Sequence, residues 1–149
     1  MKKLTPEIAL EKHYELWNAI KKAEQENKIN EYDLFTNPEY YYFRDDFKKE
    51  WCKQKGENPL NNCYLCEYAN QRAKEAKEDY AIAISFNNNN YAVLSNDTCQ
   101  HCLLKWKGES FCEQRKSKEG TDWRYSPIDE ILSLPVNEEE IKKYHAENT

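Results

Sequence analysis

At 149 residues, with 33% charged side chains and a formal net charge of −5, the chain fits one domain. Its charge is too mild for a surface that is wholly a phosphate-binding field, and no window is long and apolar enough to span a membrane. An aromatic content of 13% excludes a disordered composition, because Tyr, Phe and Trp supply apolar area that offsets the entropy of ordering. Met1-Lys2-Lys3-Leu4 runs directly into charged residues without an apolar signal stretch, so the expected location is the cytoplasm. In that compartment six cysteines read as metal ligands more than as disulfides.

Thr5-Pro6-Glu7 is a helix start: Thr caps, Pro takes the first helical position, and Glu meets the positive end of the dipole. A helix over 6–26 is expected, with Ala9, His13, Leu16, Trp17, Ile20 and Ala23 on one face. His13 reads as a packed or boundary histidine. Asn37-Pro38-Glu39 repeats the start signal and opens a second helix whose buried face is expected to be aromatic, through Tyr40, Phe43, Phe47 and Trp51. Tyr41 and Tyr42 fall off that stripe and are candidates for an exposed contact surface. Gly56 and Pro59 end the helix and lead into the first cysteine pair.

A third helix is expected over 67–79. Alternation at 80–86, the turn residues 87–90 and a second apolar stretch at 91–95 give a β-hairpin signal. Residues 103–125 read as irregular, with Trp106, Phe111 and Trp123 as anchors. Pro127 opens a short helix through Leu132, and Asn137 with Glu140 begins a last helix ending near His145. These elements divide a single domain into an aromatic helical half, 1–60, a cysteine-bearing module, 61–126, and a helical tail, 127–149.

Cys63/Cys66 and Cys99/Cys102 form two CxxC turns, and four thiolates so spaced can close a tetrahedral zinc site. Such a shell leaves no position for an activated water, which makes the zinc structural. Cys112 or His101 could replace one ligand, while Cys52 reads as a small buried apolar residue. A redox pair and an iron–sulfur cluster are the alternatives. The fold class expected from this constellation is α+β: a small four-cysteine zinc-stabilised domain, treble-clef-like or zinc-ribbon-like, with a β-hairpin and flanking helices. Loss of Cys63 or Cys102 is expected to remove metal and fold together.

The stretches Leu16-Trp17, Asn62-Cys63-Tyr64-Leu65-Cys66-Glu67-Tyr68-Ala69, Cys99-Gln100-His101-Cys102-Leu103-Leu104-Lys105-Trp106 and Phe111-Cys112-Glu113 together resemble a group of small bacteriophage-encoded proteins. In that group two CxxC turns, a following Trp and a later lone Cys recur. The resemblance covers about residues 4–125 in order. It implies a phage accessory protein acting in the host cytoplasm and carries over no catalytic residue.

Three function classes follow. The first is a non-catalytic accessory protein that binds and inhibits or redirects a host defence protein, with Tyr41, Tyr42 and Tyr64 as interface anchors. The second is a nucleic-acid-binding zinc module using Lys105, Lys107, Arg115, Lys116, Lys118 and Arg124, with Trp106 and Trp123 as stacking groups. Residues 103–126 carry six basic against four acidic side chains, which disfavours it. A small-molecule-sequestering inhibitor is a variant of the first class. An enzyme finds least support, because three histidines are scattered and three glycines build no phosphate loop.

Overall fold

The computed structural model describes residues 1–30, 32–80, 84–86, 89–91, 94–108, 111–112 and 120–149. Helix α1 (Pro6–Glu26) starts as expected, with the Thr5 hydroxyl accepting from the Ile8 amide at 3.2 Å. Its inward face carries Ala9, His13, Leu16, Trp17 and Ile20, extended by Glu24 in place of the half-buried Ala23. Helix α2 (Asp33–Thr36) and a 3₁₀ turn, Pro38–Tyr40, lead to α3 (Phe43–Lys55). Gly56 ends α3 with φ at +68°, a left-handed cap that a Cβ would strain. Helix α4 (Tyr64–Glu75) begins three residues before its expected start, which makes Cys63 its N-cap.

Two three-residue strands, β1 (Ile84–Phe86) and β2 (Asn89–Tyr91), pair antiparallel with Ile84 opposite Tyr91. Residues 81–83, 87–88 and 92–93 of the expected hairpin lie outside the described residues. Helices α5 (Asn96–Cys99), α6 (Ile128–Leu132) and α7 (Glu138–Glu147) complete the order. Between them Leu103 to Lys105 runs against Pro135 to Asn137, through an amide-to-carbonyl bond at each end, 2.8 Å in both cases.

The expected α+β class is therefore corrected: the chain is mostly helical and is not a zinc ribbon or treble clef built on a β-hairpin. A pair of three-residue strands provides no sheet face for helices to cover. The apolar mass lies instead in two adjoining helical cores. One gathers Leu4, Ala9, Leu65, Tyr68, Leu103, Leu104, Leu134 and Tyr144. The other gathers Leu16, Trp17, Ile20, Cys52, Tyr64 and Ile131. Each draws from all three stretches of chain expected as separate parts. Helices α1 and α4 contribute to both, and half-buried Trp106 packs against both.

The second helix also departs from its expected burial. Arg44, Lys48 and Cys52 form its buried face, whereas Phe43, Phe47 and Trp51 are half-buried alongside. Arg44 is 1% exposed and fully engaged. Its guanidinium donates to Glu24 at 2.9 and 3.2 Å and to the carbonyls of Ser126 and Trp123 at 2.7 and 3.1 Å, and it lies over the Trp17 ring. A second buried cation, Arg72, bonds Glu140 at 3.4 Å and Glu147 at 2.6 Å. Partners from distant helices thus make burial of these cations affordable where an apolar pattern would not place it.

His13 is a core residue whose Nε2 has no hydrogen-bond partner among the described residues. Burial first, and the Lys48 ammonium second, push its pKa down to about 3. Above the unfolded value near 6.5 the ring is neutral in both states, so its native form carries no penalty. As pH falls below that value the unfolded chain takes up a proton that the native chain refuses, so stability is lost with acidification. At pH 5 the deficit is on the order of 2 kcal/mol. Urea midpoints of wild type and His13→Leu at pH 7 and pH 5 check this: the wild type is expected to lose the larger share, and equal losses would remove His13 from the account.

Candidate metal centre

The first cysteine turn is built by local backbone chemistry. Asn61 and Asn62 take left-handed backbone, φ 57° and 52°, which Asn tolerates better than most side chains. They turn the chain so that Cys63 caps α4 and its sulfur accepts from the Cys66 amide at 3.4 Å. Cys66 then stands in the first turn of a 12-residue helix, where the dipole favours thiolate. The second turn follows from Ser95, which caps α5 by accepting from the Thr98 amide at 3.4 Å. Thr98 is anchored by its hydroxyl to the Asp79 carbonyl at 2.7 Å, and the Cys102 amide closes onto the Cys99 carbonyl at 3.0 Å.

Tertiary packing brings the two turns together, since α4 and α5 are in contact and Cys63 and Cys102 border the same core. None of the six cysteines is in a disulfide; Cys52 is buried and the other five are half-buried. The Cys63 thiol is held below its ordinary value, chiefly by a hydrogen bond from Cys66, with burial opposing and Lys48 and the Cys66 and Leu65 amides assisting. Cys66 is raised by that same bond, by burial and by neighbouring Cys63, Cys112 and Cys102. Burial also pushes Cys102 up to about 12 against the Leu104 amide, with Cys63 and Cys99 adding to the rise. Cys63, Cys66, Cys99, Cys102 and Cys112 are therefore electrostatic neighbours, and nearby thiols add to the rise of Cys66 and Cys102. Such a group can ionise together only around a cation, and soft thiolates suit zinc.

Among the described residues no set of three or more His, Cys, Asp or Glu side chains stands at metal-ligating distances. The thiols are neighbours rather than a closed shell. Their surroundings nevertheless suit a thiolate centre: backbone amides of Leu65, Cys66 and Leu104 favour the ionised sulfurs. The buried Trp106 indole N–H also favours the Cys102 thiolate, although it completes no hydrogen bond.

The alternate ligands separate. Cys112 belongs to the thiol group through Cys66. His101 lies between two carboxylates, with Nδ1 against Glu140 and Nε2 at 2.7 Å from Glu78, and these partners hold its pKa up against burial. That arrangement leaves neither ring nitrogen free for a metal. Cys52 is a core residue, as its position suggested, with its thiol pushed up to about 11 by burial.

The expected binding residues divide by exposure. Tyr41 and Tyr42 are exposed, 37% and 64%. Tyr64 is buried and donates to Glu57 at 2.9 Å, so it offers no contact surface. Lys105 and Lys107 are exposed, whereas Trp106 and Trp123 are half-buried. Trp123 lies between Lys48 and Arg124, and Arg124 is in a two-bond pair with Asp45 at 3.1 Å. Arg115, Lys116 and Lys118 lie outside the described residues. Sequence periodicity had no means of showing Lys48 or the Trp106 N–H, whose neighbours come from other elements.

No family profile, no curated protein and no solved structure matches the chain. Among the described residues, no helix is long and apolar enough to cross a membrane.

Proposed function

We propose that this protein acts by binding a protein partner, with a structural zinc held by the thiol group at the border of the core that contains Leu65 and Tyr68. In the setting that the phage resemblance implies, the partner is a host defence protein that is inhibited or redirected. The observation that carries the binding reading is a concentration of exposed aromatics between α1 and α3. Tyr32, Phe35, Tyr41 and Tyr42 are 63%, 48%, 37% and 64% exposed within one short stretch, whereas Met1, Ile8 and Tyr80 are scattered. Aromatic side chains give large contact area at little entropic cost and dominate interface energetics.

A cleft of about 510 Å³ adjoins this stretch, lined by Tyr32, Ile29, Lys21, Pro127 and the Arg44–Glu24 pair. Its apolar wall and mixed charges suit an inserted side chain of a protein more than a run of phosphates. Zinc enters this reading as a staple, because four thiolates leave no open coordination position.

Affinity capture from host lysate tests the binding reading. Wild type is expected to retain one stoichiometric protein, and Tyr32→Ser/Tyr42→Ser to retain at least about tenfold less, the loss of two exposed anchors. No stoichiometric protein, or equal retention by both forms, would count against it.

A further inference from the structure

We propose that the aromatic stretch between α1 and α3 receives a basic segment of the partner protein, whose arginine side chains lie on the rings of Tyr32, Phe35, Tyr41 and Tyr42 and pair with Glu39 and Asp46. This inference rests on the binding reading above and names the chemistry of the partner. It starts from the charge of the stretch. Residues 30–47 contain five carboxylates, on Glu31, Asp33, Glu39, Asp45 and Asp46, and one basic side chain, Arg44. Arg44 is 1% exposed and bonded to Glu24, so among the described residues the stretch presents no cation of its own.

The acids differ in their engagement. Asp45 is taken by Arg124 at 3.1 Å, and Asp33 accepts from the Asn30 amide at 3.0 Å. Glu39 and Asp46 are exposed, and neither is in an ion pair among the described residues. Glu39 lies two residues from Tyr41 in the 3₁₀ turn that contacts α2. Asp46 follows Tyr42 by one helical turn, its amide bonding the Tyr42 carbonyl at 2.9 Å. The adjoining cleft supplies no opposing charge, because Lys21 is paired with Asp129 at 2.7 Å and Arg44 with Glu24.

The rings point to a cation independently of the acids. Elsewhere in this molecule the chain covers aromatic faces with its own cations: Arg44 lies over Trp17, Lys55 over Trp51 and Arg72 over Tyr144. Exposure does not prevent such cover, since Tyr80 is 46% exposed and carries Lys74 at 5.7 Å. Tyr32 and Phe35 stand 5.9 Å apart, and among the described residues no cation lies over them or over Tyr41 and Tyr42. A ring face attracts a guanidinium and a neighbouring carboxylate supplies its counter-charge; arginine uses both, because its planar group stacks and pairs. The same carboxylates repel phosphate, so the complementary surface is basic protein rather than nucleic acid.

Labelled peptides of alternating arginine and glycine, and of alternating glutamate and glycine at matched length, are the probes, read by fluorescence anisotropy and by amide shifts of the full chain. The arginine peptide is expected to bind and to shift Tyr32, Phe35, Tyr41 and Tyr42; the glutamate peptide is expected not to bind. Glu39→Gln/Asp46→Asn is expected to weaken binding about fivefold, the range for two exposed ion pairs. Glu138→Gln/Glu139→Gln removes the same charge from the exposed first turn of α7 and is expected to bind as wild type does. Excess arginine peptide is expected to release the protein captured from lysate.

No binding, shifts that map elsewhere, or an equal loss in both charge variants would overturn the proposal, the last by showing general attraction to an acidic chain. A captured protein that the arginine peptide does not release would overturn it while leaving the binding reading intact. Absence of both peptide binding and a captured protein would remove both.

Discussion

Replacing Cys63 with serine is expected to empty the proposed zinc centre while leaving most of the helix in place. Serine is itself a preferred N-cap, so the change keeps the cap of α4 and removes the thiolate. Metal content is expected to fall from about one zinc per chain to a small fraction of that, since a four-thiolate shell does not close on three. The two cores are lined mainly by Leu, Ile, Tyr and Trp, and of the CxxC cysteines Cys63 and Cys102 pack at the border of the first. This separates the molecule from small zinc modules that have no core without metal.

A ligand present at a hundred to a thousand times its Kd stabilises by about 3–4 kcal/mol, and its loss from a chain of this length lowers Tm by roughly 10 °C. Elemental analysis and thermal melts of wild type, Cys63→Ser and Cys52→Ala check the result. Cys52→Ala serves as the control because it alters a core thiol and is expected to retain its zinc. Full zinc occupancy in Cys63→Ser would refute the assignment of that ligand.

Arg44→Met is expected to cost about 3–5 kcal/mol, the typical penalty for removing one member of a buried ion pair. Glu24 would remain buried at 6% exposure without its guanidinium, and the carbonyls of Trp123 and Ser126 would lose a donor. Arg44 joins α1 to the segment before α6, so the loss loosens a tertiary junction more than a single helix. Chemical denaturation measures the cost. The double variant Glu24→Leu/Arg44→Met is expected to recover a large part of it, because two apolar side chains leave no stranded charge. A single variant within about 1 kcal/mol of wild type would show that the pair does not hold this junction.

The α3 pattern shows how far periodicity reaches. Phe43, Phe47 and Trp51 recur at helical spacing, and hydrophobicity alone turns that stripe inward. The helix instead turns Arg44, Lys48 and Cys52 inward, because Glu24, Trp17 and Trp123 are positioned to receive the cations. Those partners are distant in the chain, so no local window contains the information. The stretch near 80–95 does hold the short antiparallel pair β1–β2, but alternation cannot show whether a larger sheet exists for that pair to join. Tyr64 is similar. A tyrosine inside a cysteine turn looks available, but the helix that starts there points it into the second core.

What the sequence determined by itself was local. Thr5-Pro6, Asn137 with Glu140, and the two CxxC spacings set helix starts and paired sulfurs through bonds that span only a few residues. Only the tertiary structure decided that the chain is mostly helical with two adjoining cores, that His101 is held by Glu78 and Glu140, and that Lys48 is buried with no carboxylate partner among the described residues. Capping and spacing are short-range, whereas the cost of burying a charge or a polar ring depends on what distant segments bring to it.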